Sequence, residues 1–262
     1  MTAGILIPLV LLSIFYLPLI GIKLVLGILL LGSAYEYGKL CDLPHPFTAI
    51  FSASLVALFL VLAFVPFLGE LLTKVVALGG IFWVWAFCLL GLYVKFNQTL
   101  WGWEGPFSKS LIGTGLLLPA FIAMTMVIAI NPWWLLAGLT LVWAADSGAY
   151  FAGRTFGKRF LAKSISPKKT WEGAAGGLIA SLVVGVLFYA FVPVIQATSF
   201  LVWFYIIIAV TGFSIIGDLF ESMLKRVAGV KDSGTLLPGH GGLLDRIDGL
   251  LAAMPIYALL IL

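Results

Sequence analysis

The chain has 262 residues, of which 62% are apolar and 10% charged, and its net charge is +4. Its mean hydropathy of +1.16 exceeds what a soluble domain of this length needs to fill a core. The composition therefore excludes an ordinary soluble domain and predicts a polytopic membrane protein. A nucleic-acid-binding surface is disfavoured as well, because the cations fall in short loops between apolar segments.

Nine apolar segments are long enough to cross about 30 Å of hydrocarbon at about 1.5 Å per residue. They cover residues 4–20, 22–40, 47–67, 71–96, 109–130, 133–153, 172–195, 198–220 and 246–262. The sequence thus predicts an all-α fold of about nine transmembrane helices. The first division rests on Pro18, Gly21 and Lys23, and a single tilted helix over residues 4–40 would give eight spans.

Basic residues predict the orientation of the chain. With nine spans, 13 of the 15 lysines and arginines lie on the side of the N-terminus and the even-numbered loops, and Lys23 and Lys74 lie on the other. Cytoplasmic loops of membrane proteins are enriched in Lys and Arg. We therefore expect an inner-membrane protein with its even loops in the cytoplasm and its C-terminus outside. The same cations would attract anionic lipids and nucleotide phosphates.

Ionisable residues are spread unevenly along the chain. Charges are scattered over residues 1–130, whereas residues 140–250 hold most of the ionisable groups. We expect residues 1–130 to form a scaffold of transmembrane helices and residues 131–262 to carry the catalytic site. Cys41 and Cys88 fall in no metal-ligand pattern, which indicates packing rather than chemistry.

Four aspartates are predicted to converge near the cytoplasmic side. Asp146 lies eight residues before Arg154, and Asp218 lies seven residues before Lys225. These cations mark the ends of the two predicted helices, so both acids lie about 10 to 12 Å inside the helix ends. Asp245 and Asp248 open the last helix from the same side and share one face. Acids at such depth cost about 2.5 to 3.5 kcal/mol on insertion scales and are usually functional or paired. We expect a polar cavity in the cytoplasmic half of the bilayer.

This oxygen-rich group suits Mg²⁺, which takes one or two protein carboxylates and completes its shell with water and phosphate oxygens. No Cys/His cluster favours zinc. The alternative is that the acids only form salt bridges with neighbouring cations and do no chemistry.

Two polar segments predict phosphate binding. Residues 222–248 contain four cations, five glycines and His240. His240 is flanked by Gly239, Gly241 and Gly242, whose missing side chains let backbone N–H groups approach a phosphate. Residues 166–173 contain Lys168 and Lys169, which are expected to reach an anionic ligand. In the same segment, Thr170 is a predicted helix start and Glu172 a further oxygen ligand.

The polar positions of residues 222–248 follow the pattern Ser222-x-x-Lys225-Arg226-x4-Lys231-Asp232-x5-Pro238-x-His240-Gly241-Gly242-x2-Asp245-Arg246-x-Asp248. Residues 166–173 and the stretches Asp146-Ser-Gly-Ala-Tyr150 and Gly153-Arg154 add to it. This pattern resembles the signature of the phosphatidate cytidylyltransferases, also called CDP-diacylglycerol synthases. The resemblance is dense over residues 143–250, and over the first 130 residues it is limited to hydrophobicity.

The resemblance implies a reaction in phospholipid biosynthesis: CTP and phosphatidic acid give CDP-diacylglycerol and pyrophosphate. Mg²⁺ is required for this reaction, and the presence and identity of a second metal ion are left open. It also implies a homodimer. The predicted metal ligands are Asp218, Asp245 and Asp146. The predicted catalytic residues are Lys225, Arg226, His240 and Asp248, the last also a candidate metal ligand. The predicted substrate-binding residues are Ser222, Lys168, Lys169, Lys231 and Arg246.

Two other functions are compatible with parts of the sequence. A CDP-alcohol phosphotransferase is suggested by Asp245-x-x-Asp248-Gly249, but only 13 residues follow Gly249 and none is acidic, so the remaining aspartates of that motif are missing. An ion-coupled transporter would also use intramembrane carboxylates. Against it stand the lack of an internal repeat and the concentration of Lys, Arg, Gly and His in one cluster.

Overall fold

The structure is a computed structural model that describes residues 2–96, 105–236 and 241–262, without the side chains of residues 2–7 and 66. Within these ranges the chain forms ten α-helices and one two-stranded β-hairpin. The helices are α1 (Thr2–Tyr16), α2 (Leu19–Leu40), α3 (His45–Phe64), α4 (Gly69–Phe96), α5 (Pro106–Ile130), α6 (Pro132–Phe156), α7 (Trp171–Phe191), α8 (Pro193–Gln196), α9 (Phe200–Val227) and α10 (Leu244–Ile261). The hairpin strands are β1 (Phe160–Ala162) and β2 (Ser166–Thr170).

All nine predicted segments are helical over most of their length, and the four-residue α8 lies in the connection after α7. The first apolar stretch forms two helices rather than one, because α1 ends at Tyr16 and α2 begins at Leu19. Pro18 lies immediately before α2 with extended backbone angles, φ −63° and ψ 155°. A proline ring disfavours a helix that continues through it, because it removes a backbone hydrogen bond and clashes with the preceding turn. The division into two helices is thus confirmed.

Seven of the described helices, α2 to α7 and α9, are long and apolar enough to cross a membrane. The chain is therefore a polytopic membrane protein. The other two long helices differ in length or charge: α1 has 15 residues, a rise of about 22 Å, and α10 contains Asp245, Arg246 and Asp248 in its first turns. Crossing of the membrane by α1 and α10 stays a prediction.

Helix α5 lies at the centre of the bundle. It packs against α2, α3, α4, α6 and α10, and most of its residues from Ile112 to Ile128 are buried. A helix that is apolar on every side is normally surrounded by protein or lipid. Here the neighbouring helices surround it, so α5 forms the core of the first half of the chain.

Two closely packed helix pairs position the acids of the second half. In the pair α9 and α10, a Cβ atom at Gly217 would collide with the backbone carbonyl of Asp248. In the pair α6 and α7, a Cβ atom at Gly177 would lie 2.6 Å from the carbonyl oxygen of Ala145. The helices thus touch backbone to backbone next to Asp218, Asp248 and Asp146, and in α9 and α10 this contact brings the turns that carry Asp218 and Asp248 together.

Candidate active site

Three aspartates from three helices lie within electrostatic range of one another. Asp146 lies on α6, Asp218 on α9 and Asp248 on α10, and their carboxylates interact electrostatically with one another. The ammonium of Lys169, on β2, forms an ion pair with Oδ2 of Asp218. On the next turn of α9, Ser222 donates from Oγ to Oδ1 of Asp218 at 3.3 Å. We call Asp146, Asp218, Asp248 and Lys169 the three-acid cluster.

A second group of charges forms around Lys225. Its Nζ atom lies 2.7 Å from Oδ1 of Asp245 and also pairs with Oε2 of Glu221. The other oxygen of Asp245, Oδ2, accepts the backbone N–H groups of Ser233 and Gly242 at 3.0 and 2.9 Å. Both oxygens of Asp245 are therefore engaged by donors. We call Lys225, Glu221 and Asp245 the Lys225 cluster.

The donors of the three-acid cluster fit a hard divalent cation. They are carboxylate oxygens and the nearby Ser222 hydroxyl, and oxygen is the ligand that Mg²⁺ prefers. Three carboxylates also carry more negative charge than the Lys169 ammonium neutralises. In the described ranges, however, no three Asp, Glu, His or Cys side chains stand close enough together to enclose a metal. Asp245, a predicted metal ligand, contacts Lys225 in this structure, and its role as a ligand stays a prediction.

The other predicted phosphate-binding residues are distributed around these clusters. Arg226 donates from Nε to the carbonyl oxygen of Ile165 at 3.0 Å, which ties the end of α9 to the hairpin turn. The side chains of Lys168, Lys231 and Arg246 are exposed. His240 lies outside the described residues, so its predicted role stays a prediction.

The hairpin that carries Lys169 was not predicted from the sequence. Its strands are antiparallel and pair Phe160 with Thr170 and Ala162 with Ser166, with an irregularity between the two pairs. Thr170 then caps α7, because its side chain accepts the N–H of Gly173 at 3.1 Å. The helix start predicted at Thr170 is confirmed.

Glu172 has a different position from the one expected. Its Oε2 atom accepts the backbone N–H groups of Lys158 and Arg159 at 3.0 and 3.1 Å. The carboxylate therefore holds the chain entering the hairpin, and the structure does not bring it to the acids. A surface groove of about 440 Å³ lies beside it, lined by Arg159, Trp171, Glu172 and Ala175.

Two functional candidates were missed in the sequence. Glu221, with 1% of its surface exposed, belongs to the Lys225 cluster. Glu36 on α2 is 2% exposed and accepts the backbone N–H groups of Leu236 and Leu244 at 3.3 and 2.9 Å. A signal for both was present, since acids within or at the end of apolar segments are rare and usually have a specific partner.

Comparison with known proteins agrees with the chemistry of this site. The sequence profile of the cytidylyltransferase family matches residues 1–262. A phosphatidate cytidylyltransferase of Haemophilus influenzae is 34% identical over 282 aligned positions, which cover 98% of this chain and 96% of the relative. The protein of that name in Pseudomonas aeruginosa is 37% identical over 265 positions, 99% of this chain and 94% of the relative. By these full-length matches, the chain belongs to the cytidylyltransferase family.

Proposed function

We propose that this protein is a phosphatidate cytidylyltransferase, which transfers the cytidylyl group of CTP to phosphatidic acid in phospholipid biosynthesis. The products are CDP-diacylglycerol and pyrophosphate. Membership of the cytidylyltransferase family and two full-length relatives of that name support the activity. The observation that carries it is the placement of Asp146, Asp218 and Asp248, from three helices, within electrostatic range of one another and of the Lys169 ammonium, which pairs with Asp218.

The reaction needs neutralisation of charge more than it needs a strong base. An oxygen of the phosphatidic acid headgroup attacks the α-phosphorus of CTP, and the bond from that phosphorus to the bridging oxygen of the β-phosphate breaks. The headgroup is a phosphate monoester, which is largely dianionic at neutral pH. The attack therefore joins two anions, and fixed positive charges are required to hold them and to stabilise the departing pyrophosphate.

Lys225 and Arg226 are our candidates for binding the reacting phosphates, and Ser222, Lys168, Lys169, Lys231 and Arg246 for binding substrate around them. The position of Lys225 supports this role, because Glu221 and Asp245 hold its ammonium from two sides. A cation fixed before the substrate arrives costs no reorganisation during the reaction. His240 is proposed to assist the departure of pyrophosphate.

Asp218 and Asp146 are our candidates for holding Mg²⁺, with Asp248 and Asp245 as further ligands or as their supports. When bound, Mg²⁺ would neutralise phosphate charge. The chain's own part is to orient these carboxylates. Ser222 fixes the rotation of the Asp218 carboxylate through its hydrogen bond at 3.3 Å.

We further propose that the site lies in a polar cavity in the cytoplasmic half of the inner membrane, with nine helices crossing the bilayer. The diacylglycerol tails of the substrate then stay in lipid while CTP enters from the cytosol. Asp146 and Asp218 lie within helices long enough to span a membrane, which supports this depth. The irregular segment before α10 is compatible with it, because irregular backbone is tolerated where it lines a wet cavity.

The two halves of the chain are proposed to have separate roles. Residues 1–130, which include α1 to α5, form the scaffold, and residues 131–262 carry the catalytic site. The location of both charge clusters on β2, α6, α9 and α10 supports this division.

The activity is tested with the full chain purified in detergent, CTP labelled in the cytidine, phosphatidic acid and Mg²⁺. We expect CTP-dependent label in a lipid product, with one pyrophosphate released per labelled lipid. A CDP-alcohol phosphotransferase would instead release CMP from CDP-diacylglycerol and an alcohol, and a transporter would do neither. Folded protein that forms no labelled lipid at saturating CTP and Mg²⁺ would refute the proposal.

A further inference from the structure

A buried carboxylate in the proposed scaffold contacts the segment that leads into the active site, which comprises residues 232–236 and 241–244. Glu36 lies near the end of α2, and its two oxygens accept backbone N–H groups from residues about 200 positions later in the chain. Oε1 accepts from Leu236 at 3.3 Å and Oε2 from Leu244 at 2.9 Å. The two donors stand on either side of residues 237–240, which lie outside the described residues. Glu36 thus contacts the chain at Leu236 and again at Leu244.

One of these contacts caps a catalytic helix. Leu244 is the first residue of α10, and the preceding Leu243 makes no side-chain capping hydrogen bond. The first N–H groups of a helix have no partner within the helix, and negative charge is favourable at that end. Glu36 supplies both the acceptor and the charge from another helix.

The segment is shaped to fit around this carboxylate. A Cβ atom at Gly242 would lie 2.7 Å from Oε2 of Glu36, and a Cβ atom at Gly234 would overlap the same carboxylate. One turn earlier on α2, a Cβ atom at Gly32 would lie 2.9 Å from Cδ2 of Leu243. The face of α2 that contains Gly32 and Glu36 is therefore the surface on which the segment rests.

Asp245 holds the same segment from the side of the active site. It accepts the N–H groups of Ser233 and Gly242, while its other oxygen contacts Lys225. The segment is thus fixed between Glu36 and Asp245. Without the two carboxylate oxygens of Glu36, the backbone N–H groups of Leu236 and Leu244 would lack partners. The segment would then be free to shift against Asp245.

We infer that Glu36 is a positioning residue for the active site. It acts through residues 232–236 and 241–244 on Asp245 and Lys225, without touching substrate. This inference rests on the proposed cytidylyl transfer, and it gives the scaffold half a direct part in the geometry of the site.

The test compares the variants Glu36→Gln and Glu36→Ala with Glu70→Gln, a matched change at an exposed position in the first turn of α4. Hydrogen exchange is measured on peptides that cover residues 232–244, with peptides of α3 as internal reference. The steady-state constants for both substrates and the melting temperature are measured on the same full-length samples. Because Glu36→Gln keeps the volume and one acceptor oxygen, its fold should survive.

We expect faster exchange over residues 232–244 in Glu36→Gln, with the exchange of α3 unchanged. Its kcat/KM for CTP should fall about tenfold, the scale of one lost buried acceptor, with KM for CTP raised, KM for phosphatidic acid unchanged and the melting temperature lowered by only a few degrees. Glu36→Ala should lose more activity. A general loss of folded protein would instead lower kcat, leave KM unchanged for both substrates and accelerate exchange in α3 as well.

The inference is overturned if exchange in Glu36→Gln equals that of Glu70→Gln, or if exchange accelerates while kcat/KM stays at the wild-type value.

The wild-type protein provides a test that needs no variant. The amides of Leu236 and Leu244 should exchange more slowly than that of the exposed Thr235, and equal rates would exclude the contact. A wild-type protein that makes no CDP-diacylglycerol refutes the proposed function, whereas a fully active Glu36→Gln variant refutes only the role of Glu36.

Discussion

The three-acid cluster and the Lys225 cluster both combine aspartate with lysine, but they differ in how far their aspartates are satisfied. In the Lys225 cluster, Asp245 contacts the ammonium with one oxygen and two backbone N–H groups with the other. In the three-acid cluster, the ammonium of Lys169 pairs with Asp218, which also accepts from a hydroxyl, and Asp248 accepts the backbone N–H of Gly249 at 2.7 Å.

This difference suggests a division of labour between the clusters. A carboxylate fixed by several donors holds its neighbours in place, and here the neighbour is a cation suited to phosphate. Carboxylates gathered with too little positive charge attract a further cation. We therefore expect the three-acid cluster to respond to Mg²⁺ and the Lys225 cluster to respond to changes in packing and charge.

The largest effect is expected from Asp218→Asn and Asp245→Asn, each of which removes a charge with little change in volume. Both should lower cytidylyl transfer by at least about 10³-fold, because each removes a preorganised charge at the reaction. The two variants should differ in their dependence on Mg²⁺. The Mg²⁺ concentration that gives half of the maximal residual transfer rate should rise more in Asp218→Asn than in Asp245→Asn. The measurement is an Mg²⁺ titration of the transfer rate.

Asp42→Asn is the matched control for both variants, since Asp42 lies exposed in the turn after α2 with φ at 53°, where Asn is tolerated. It should keep the wild-type rate and Mg²⁺ dependence. Near-wild-type turnover of both test variants at saturating Mg²⁺ would remove Asp218 and Asp245 from the metal site.

Lys225→Ala should lower the transfer rate by about 10²-fold, the scale of one lost electrostatic contact in the transition state. It should also destabilise the fold by about 3 to 5 kcal/mol, because it leaves the buried Glu221 without its cation. The double variant Lys225→Ala, Glu221→Gln separates the two effects. It should recover stability in a detergent unfolding assay while activity stays low. Recovery of activity together with stability would reduce Lys225 to a structural ion-pair partner.

Arg226→Lys should have a smaller effect, about tenfold on kcat/KM, because it keeps the charge and loses the planar fork. The hydrogen bond from Nε to the carbonyl of Ile165 is lost with it. Hydrogen exchange over residues 160–170 should therefore increase, whereas exchange in α3 should not change. Full activity with unchanged exchange in the hairpin would contradict a role for the guanidinium fork.

The helices were predictable because long apolar runs leave few alternatives for the backbone in a membrane. Their ends were marked locally, by Pro18 before α2 and by Thr170 before α7. The hairpin was not predictable by these means. Its strands have three and five residues, and the second, Ser166-Pro-Lys-Lys-Thr170, lacks the alternation of apolar and polar residues that indicates a strand.

The candidate site was predictable to the extent that helix geometry determines it. Counting residues from the helix ends placed Asp146 and Asp218 at similar depth, and the structure brings them together with Asp248. The spacing of Asp245 and Asp248 predicted that they share a helix face. It did not predict that Asp245 pairs with Lys225 whereas Asp248 lies near Asp218 and Asp146. Glu36 escaped prediction because it binds backbone N–H groups of Leu236 and Leu244, which have no side-chain signature.

The location of the site on the cytoplasmic side rests on the distribution of basic residues and can be checked by labelling. In a background with Cys41 and Cys88 replaced, a cysteine at the exposed position Lys163 should react with an impermeant thiol reagent only in inside-out vesicles. A cysteine at the exposed Ala197 should react only in right-side-out vesicles. Reaction of position 163 from outside would invert the topology. Ser233, in the second polar segment, is a poor labelling position because it is buried.

The most direct test of the account supplies CTP, which does not cross membranes, to sealed vesicles that contain the protein, phosphatidic acid and Mg²⁺ on both sides. Inside-out vesicles should form CDP-diacylglycerol from external CTP, and right-side-out vesicles should form it only after permeabilisation. Asp218→Asn should form it at least about 10³-fold more slowly in either orientation. Equal synthesis by intact right-side-out vesicles, or undiminished synthesis by the Asp218→Asn variant, would contradict a cytoplasmic cytidylyl-transfer site built around the three-acid cluster.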